Sequence, residues 1–194
     1  MLDKSVPFVR VIMCRKKGTI IPVFDLPEGY KFSFFRSGDE KAWAKIETSV
    51  SEFPNEEEAF LHFQKEFLPF ITEFEKRCLF IENNEGEKIA TSTAWWFETG
   101  ERRDPRLHWV AVMPQYQGLG LGKVITSKTM QVMAELEGDR DFYLSTQTWS
   151  HRAIRLYEKM GFEITDERDF HQIKNENYEK AIEVLKKVVS RSRR

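Results

Sequence analysis

The stretch that decides the fold is Val110-Ala111-Val112-Met113-Pro114-Gln115-Tyr116-Gln117-Gly118-Leu119-Gly120-Leu121-Gly122-Lys123. An apolar strand runs into Pro114, and a glycine-rich loop then opens a helix whose apolar positions recur every three or four residues. Glycines let the backbone approach a ligand closely, and the N–H groups at a helix N-terminus favour phosphate. Lys123 adds a positive charge in the first turn. The stretch therefore predicts an anion site without naming the anion.

Three classes of phosphate-bearing ligand compete for this loop. A nucleotide P-loop is excluded because Val124 follows Lys123 and Gln117 occupies the place of its first glycine. A dinucleotide fingerprint fits weakly because Lys123 replaces the third glycine, and the next strand ends in Ser145-Thr146 rather than an acidic residue. The diphosphate of CoA remains, and a glycine-rich turn without a ligand is the alternative.

Two motifs, one of which includes this loop, resemble those of a known protein family. Gln117-x-x-Gly120-x-Gly122 resembles motif A of the GNAT superfamily of N-acetyltransferases, and residues 153–162, Ala-Ile-Arg-Leu-Tyr-Glu-Lys-Met-Gly-Phe, resemble its motif B. Both occur in order, with one predicted strand between them. The resemblance implies an α+β (mixed α/β) fold with a central mixed, mostly antiparallel sheet flanked by helices. It also implies transfer of the acetyl group of acetyl-CoA to a primary amine, in a complex that holds both substrates.

The remaining patterns predict one domain over residues 1–194, with a motif core at 107–165, an N-terminal strand extension at 1–29 and a C-terminal helix at 174–190. The extension and the C-terminal helix are additions that the resemblance does not explain. Period-two and helical spacing predict strands at 7–15, 19–24, 30–34, 78–82, 88–97, 107–112, 142–146 and 162–165, and helices at 39–46, 56–74, 121–136 and 150–160. Pro69 should break the second of these helices, Asp39 should cap the first, and a polar loop is expected from Gly100 to Pro105.

The resemblance assigns roles to individual positions. The backbone of Val110, Ala111 and Val112 is expected to pair with the pantetheine arm. The diphosphate is expected on the loop and first helical turn, at Gln117, Gly118, Leu119, Gly120, Leu121, Gly122 and Lys123. Ser150 stands where motif B usually has Asn, and we expect it to cap the helix and to belong to the cofactor-binding residues. Tyr157 is expected to give its phenolic proton to the departing CoA thiolate, since a phenol titrates near ~10 and a thiol near ~8.5.

The general base is less well defined, because Ser145 stands where some family members carry a glutamate. His108 is the first choice, since it lies on the strand leading to Val110 and histidine titrates near neutrality. Period-two alternation puts His108 on the same face as Val110 and Val112, and a structural histidine is the alternative reading. Glu98 and Glu47 are weaker choices. Trp149, beside Ser150, is a candidate wall of the acceptor pocket.

Composition limits the possible partners. A formal net charge of -1 gives no reason to expect nucleic acid, and no apolar run is long enough for a membrane span. The two cysteines, Cys14 and Cys78, have no metal or redox spacing, which favours a reduced cytoplasmic protein without a metal.

The acceptor is expected to be a small-molecule or peptide amine. A homodimer stays open, because the amphipathic C-terminal helix can cover its own sheet or meet a partner. A non-catalytic CoA-binding module and a dinucleotide-dependent oxidoreductase are the competing functions.

Overall fold

A computed structural model describes residues 2–99, 102–166 and 175–191, and all elements below belong to these ranges. The strands are β1 (Arg10–Arg15), β2 (Lys31–Phe34), β3 (Cys78–Glu82), β4 (Lys88–Thr99), β5 (Arg102–Val112), β6 (Phe142–Gln147) and β7 (Glu163–Ile164). The α-helices are α1 (Glu40–Ser49), α2 (Glu56–Glu66), α3 (Ile71–Arg77), α4 (Leu121–Glu137), α5 (His151–Lys159) and α6 (Tyr178–Arg191).

The strands form one mixed sheet in the order β2-β3-β4-β5-β6-β1-β7. β1 is antiparallel to both β6 and β7, β3 is antiparallel to both β2 and β4, and β5 runs parallel to β6 with Arg106 opposite Tyr143. This confirms the predicted mixed, mostly antiparallel sheet. The N-terminal strand is not an appendage, because β1 lies between the last two strands of the chain.

The chain divides into two compact units. The first unit consists of Met1–Ile20, Trp96–Arg106 and Asp139–Arg194, and the second unit consists of Ile21–Trp95 and Leu107–Gly138. The single-domain organisation of residues 1–194 stays a prediction.

The core of the second unit is aromatic. Phe63, Phe67 and Phe74 are fully buried and pack their rings against one another, with centroids 4.3–5.4 Å apart. α2 ends at Glu66, and a 3-10 turn containing Pro69 separates it from α3. The predicted break is confirmed, because proline has no N–H for the helical ladder. Phe63, Phe67 and Phe74 therefore belong to the core of this unit.

The core of the first unit forms around β1. Residues 11–14 are buried, and α6, whose Ala181, Val184 and Val188 are buried, packs on β1. α6 thus covers a strand of its own unit, one of the two arrangements that the sequence left open. Arg15, the last residue of β1, is buried. Its guanidinium contacts the Asp139 carboxylate at 3.3 Å and donates to the Thr19 carbonyl.

Three local predictions were wrong. Residues 19–24 form no strand, because Pro22 interrupts the run and cannot donate to a ladder. The expected loop from Gly100 to Pro105 is mostly strand, since β5 begins at Arg102; residues 100 and 101 lie outside the described ranges. Asp39 stands at the start of α1 but does not cap it, because its carboxylate accepts the N–H of Arg36 at 2.9 Å.

The end of α5 generates a stability prediction. Gly161 has φ +85°, and a Cβ added there would meet the Thr19 methyl carbon at 2.6 Å. Gly18 has nearly the same φ, +81°, but nothing lies within 4 Å of its added Cβ. We expect Gly18→Ala to lower the free energy of unfolding by about 1–2 kcal/mol through backbone strain. Gly161→Ala should cost about 1–3 kcal/mol more through overpacking. Equal losses in urea unfolding would contradict this assignment.

Candidate functional site

The glycine loop of the second unit connects β5 to α4. A 3-10 turn, Pro114–Tyr116, follows the strand, and the Gln117 side chain donates from Nε2 to the Val112 carbonyl at 2.9 Å. This contact fastens the loop to the strand end. Gly118 and Gly120 have φ +87° and +82°, values that other residues rarely adopt. The sequence therefore needs glycine at both positions to make this turn.

The first turn of α4 presents unpaired backbone donors. Gly120 is the N-cap residue, and no side-chain hydrogen bond caps the helix. The first backbone bond back to the cap runs from the Val124 N–H to the Gly120 carbonyl at 3.3 Å. The N–H groups of residues 121–123 therefore precede the helical ladder, at the positive end of the dipole of a 17-residue helix. Leu121 is buried and anchors the turn, whereas Leu119 is 50% exposed.

The loop has the chemistry and the room for a diphosphate. Nothing lies within 4 Å of a Cβ added at Gly118, so the space beside it is open. The Lys123 side chain is exposed, and its ammonium lies 4.9 Å from the ring centroid of Phe24. Glycine N–H groups, a helix N-terminus and a nearby cation are donors that phosphate oxygens accept. These residues fit the diphosphate that the sequence predicted.

An unusual backbone conformation interrupts β5 just before the loop. Trp109 has φ +49°, although it is a bulky residue in a strand, and such a conformation costs about 1–2 kcal/mol. Because of this conformation, period-two alternation of the side chains does not extend from His108 to Val110. That His108 shares a face with Val110 and Val112 therefore stays a prediction. Val110 and Val112 are half-buried, and Ala111 is buried. Strained residues of this kind cluster at functional sites.

His108 belongs to a cluster that the sequence analysis did not identify. Its Nε2 lies 2.8 Å from Oε1 of Glu66, and Nε2 of His62 lies 2.5 Å from Oε2 of the same carboxylate. We name these three residues the His–Glu–His cluster. The exposed fractions of their side chains are 11% for His108, 26% for Glu66 and 37% for His62. The i, i+4 spacing of His62 and Glu66 on α2 could have indicated the contact between these two residues. The contact of Glu66 with His108 on β5 joins residues that are distant in the chain, and no sequence pattern indicates it.

The Glu66 carboxylate is ionised in this setting. Burial alone would raise the pKa of Glu66, but hydrogen bonds from His108 and His62 outweigh it and hold that pKa well below its ordinary value of 4.5. An ionised carboxylate only accepts hydrogen bonds, so both imidazoles donate from Nε2.

Aromatic rings enclose the cluster. The Trp109 ring lies 5.3 Å from Trp43, 5.3 Å from Phe53, 5.1 Å from His62 and 5.0 Å from His108, measured between centroids. The first three of these contacts come from α1, from the segment between α1 and α2, and from α2, and they hold Trp109 in its strained conformation. The buried indole N–H groups of Trp43 and Trp109 have no hydrogen-bond partner.

The two weaker base candidates lie in different environments. Glu47, on α1, is buried, and this burial raises the pKa of its carboxyl well above the ordinary value. Its Oε1 has no hydrogen-bond partner. Glu98, on β4, is exposed. Neither belongs to the hydrogen-bonded cluster around His108.

The first unit carries the motif B residues. Tyr157 is 7% exposed, and its ring centroid lies 6.3 Å from that of Phe162. Ser150 stands at the start of α5 but does not cap it, contrary to prediction, because it ends a 3-10 turn with φ -92° and ψ 31° instead of the extended backbone of a cap. Its hydroxyl accepts from Gln147 at 3.3 Å. The Trp149 indole donates to the Val6 carbonyl at 2.8 Å and contacts the N-terminal segment.

Other chemistries have little support in the ranges that the structure describes. No group of three His, Cys, Asp or Glu side chains there is arranged to hold a metal ion. Burial raises the pKa of the Cys78 thiol to about 12, so it is a poor nucleophile. No helix among these residues is long and apolar enough to cross a bilayer.

A match to a known protein family covers more than half of the chain. The model of the acetyltransferase (GNAT) family matches residues 41–162, which include the glycine loop, the His–Glu–His cluster and motif B. The chain belongs to the GNAT family of acetyltransferases. Membership implies the use of acetyl-CoA. It also confirms the resemblance found from the two motifs.

Individual acetyltransferases are similar to parts of this chain. Spermine/spermidine N(1)-acetyltransferase of Bacillus subtilis is 42% identical over 57 residues, which are 29% of this chain and 38% of that protein. Mycothiol acetyltransferase of Streptomyces griseus is 27% identical over 138 residues, which are 71% of this chain and 44% of that protein. The matched part of this chain thus spans less than half the length of these relatives.

A solved structure supports the GNAT fold. The GCN5-related N-acetyltransferase from Sphaerobacter thermophilus superimposes with a TM-score of 0.64 at 21% identity, over 82% of this chain and 49% of that chain. At this identity the likeness concerns the fold alone.

The His–Glu–His cluster generates a prediction about acid stability. Because the folded-state pKa of Glu66 is depressed, its ionised form stabilises the fold above pH 4.5, and this stabilisation is lost progressively as the pH falls below that value. Glu66→Gln should lower the free energy of unfolding at pH 7 by about 1.5–3 kcal/mol. It should also show a weaker loss of stability below pH 4.5 than the parent chain.

Urea unfolding at several pH values measures both effects. Glu183→Gln is the control, because Glu183 is exposed and pairs with Lys187 at an i, i+4 spacing that contributes little. A Glu66→Gln variant with the parental stability and acid profile would refute the ionic character of the cluster.

Proposed function

We propose that this chain is an acetyl-CoA-dependent N-acetyltransferase that transfers the acetyl group directly to a primary amine. The observation that supports this most is the uncapped N-terminus of α4, which follows a loop with positive φ at Gly118 and Gly120. Family membership makes acetyl-CoA the expected source of the diphosphate that we propose for this loop. Acetyl-CoA supplies the activated acetyl thioester, and the chain supplies binding and proton transfer.

The proposed cofactor residues follow the loop. The backbone N–H groups from Gly118 to Lys123 are assigned to the diphosphate, and the main chain of residues 110–112 is assigned to the pantetheine arm. Gln117 contributes by tying the loop to the end of β5 through Val112. The Ser150 hydroxyl bonds to Gln147, which gives less support to its predicted role toward the cofactor.

Two proton transfers are required. An amine attacks only when it is unprotonated, and a typical amine titrates near ~10, so a base is needed at neutral pH. We assign this role to His108, whose imidazole contacts an ionised carboxylate. We assign to Tyr157 the donation of its phenolic proton to the leaving CoA thiolate, on the strength of its place in motif B.

Direct transfer is preferred to a covalent acyl-enzyme. Both cysteines are buried and neither forms a disulfide, and the raised pKa of Cys78 opposes formation of its thiolate. Cysteines outside any disulfide also suit the reduced cytoplasm that we propose as the location. For the acceptor, we propose a small-molecule or peptide amine; polyamines are a reasonable first choice, since one similar protein is named for spermine and spermidine.

The first test is release of CoA thiol from acetyl-CoA in the presence of a panel of amines: spermine, spermidine, lysine derivatives and peptides with a free N-terminus. We expect release that depends on an added amine. Gly120→Ala should weaken acetyl-CoA binding roughly 5- to 30-fold, because the loop must then adopt φ +82° at a cost of about 1–2 kcal/mol.

The matched control is Gly138→Ala at the other end of α4. Gly138 also has a positive φ, +76°, and nothing lies within 4 Å of its added Cβ. The Gly138→Ala variant should have the same affinity for acetyl-CoA as the parent chain. Calorimetric binding of CoA without transfer to any amine would instead indicate a non-catalytic CoA-binding module. Protection by NAD but not CoA against thermal unfolding would indicate an oxidoreductase.

Tyr157→Phe tests the proposed acid. Removing the phenolic hydroxyl should lower kcat about 100-fold or more, in the range typical of general acid catalysis, with little change in acetyl-CoA affinity. Tyr143→Phe is the control, since Tyr143 lies on β6 outside both motifs, and its turnover should stay near the parental value. Undiminished turnover in Tyr157→Phe would remove the proposed role.

A further inference from the structure

We propose that Glu66 and His62 are positioning residues for His108, and that the His–Glu–His cluster makes Nδ1 of His108 the proton acceptor for the amine. This inference rests on the proposed function and deepens it. It starts from the geometry of one carboxylate with two imidazoles, each bonded to a different oxygen at 2.8 and 2.5 Å.

The hydrogen bonds determine which ring nitrogen is basic. Because the ionised Glu66 carboxylate only accepts, His108 must carry a proton on Nε2. In the neutral imidazole the lone pair is then on Nδ1. A histidine without such a partner can exchange between its two tautomers, whereas this contact selects one. Glu66 therefore acts on the reaction through His108 rather than on the substrate.

His62 fixes the carboxylate in turn. It lies one helical turn before Glu66 on α2, and its Nε2–H occupies the oxygen that His108 does not use. With both oxygens bonded, rotation of the carboxylate about its last torsion would break two hydrogen bonds. His62 thereby fixes the orientation of the Glu66 carboxylate, and this carboxylate fixes the orientation and the tautomer of the His108 imidazole.

The proton balance follows from this arrangement. The N–H bond of the acceptor ammonium breaks, its proton goes to Nδ1 of His108, and the electron pair stays on the acceptor nitrogen. That pair forms the new C–N bond with the acetyl carbon, and the C–S bond breaks with its electrons leaving on sulfur, which takes the phenolic proton of Tyr157. The new amide nitrogen then loses one of its two remaining protons to solvent, and the Tyr157 phenolate regains a proton from solvent. The imidazolium then lies beside the negative Glu66 carboxylate, which stabilises it until the proton returns to solvent.

The surroundings keep the cluster rigid. The Trp109 ring packs on both imidazoles, at 5.0 Å from His108 and 5.1 Å from His62, and Phe67 lies 6.4 Å from His108. From α2, Glu66 contacts His108 directly, and His62 contacts the other oxygen of the Glu66 carboxylate. The strained backbone at Trp109, next to His108 in the chain, is tolerated because these rings enclose it.

Kinetic comparison of variants tests the proposal. With the best amine of the panel at pH 7, Glu66→Gln should lower kcat roughly tenfold or more, as part of the 10²–10⁴ that general-base catalysis contributes. His62→Gln should cause a smaller loss, and the KM for acetyl-CoA should not change. Near pH 9.5 the defect of Glu66→Gln should narrow, because more of the amine is unprotonated in solution and the base is needed less.

The control is Asp3→Asn in the first unit, which breaks a similar carboxylate–imidazole contact, with His151 at 3.2 Å. It should leave kcat and its pH profile unchanged. A Glu66→Gln defect that is equal at pH 7 and pH 9.5 would reduce Glu66 to a structural residue and overturn the proposal.

A measurement without turnover separates this proposal from the proposed function. Nitrogen-15 NMR of the imidazoles in the intact chain reports the tautomer directly. Neutral His108 should carry its proton on Nε2, and Glu66→Gln should shift it toward the Nδ1–H form. If the parent chain carries the proton on Nδ1, the proposal fails whether or not any amine is acetylated. If the tautomer is as expected but no amine reacts, only the proposed function fails.

Discussion

The second unit of this protein depends on backbone N–H groups that the helix itself cannot satisfy. The first turn of any α-helix leaves such donors, and a side chain at the N-cap usually accepts from one of them. At α4 the cap is Gly120, which has no side chain to offer. The donors stay available at the positive end of a long helix. A tight loop after β5 is needed to expose them, and Gly118 and Gly120 make that loop at positive φ.

The end of β5 shows how packing enforces a conformation that the local sequence disfavours. In an isolated strand Trp109 would adopt an ordinary extended backbone and avoid the strain of its positive φ. In the folded unit its ring is held among Trp43, Phe53 and the two imidazoles of the His–Glu–His cluster. The combined burial of these rings outweighs a strain of about 1–2 kcal/mol. The same contacts that hold Trp109 also fix His62 and His108 around Glu66.

What the sequence could predict was local. The strand–loop–helix at residues 110–123 follows from glycine placement and apolar periodicity, and the break at Pro69 follows from a missing N–H. The strand expected at 19–24 failed because apolar residues suggest burial, whereas Pro22 cannot supply ladder hydrogen bonds. Glu66 was missed because its partner His108 is 42 positions away on another element. Neither periodicity nor a motif reports which side chains meet across such a distance.

The position of β1 extends this reasoning to the first unit. β6 leads directly into the motif B helix that carries Tyr157, and its antiparallel partner is β1, with Arg10 opposite Gln147. The first strand of the chain therefore pairs with a strand that follows it by more than one hundred residues. Closing so long a loop has an entropic cost that grows only slowly with length, and the buried residues of β1 can offset it. Arg15 and Asp139 form an ion pair at the other end of this strand pairing, where β1 ends and β6 begins. The segment that looked like an appendage in the sequence thus fixes the strand on which the placement of motif B depends.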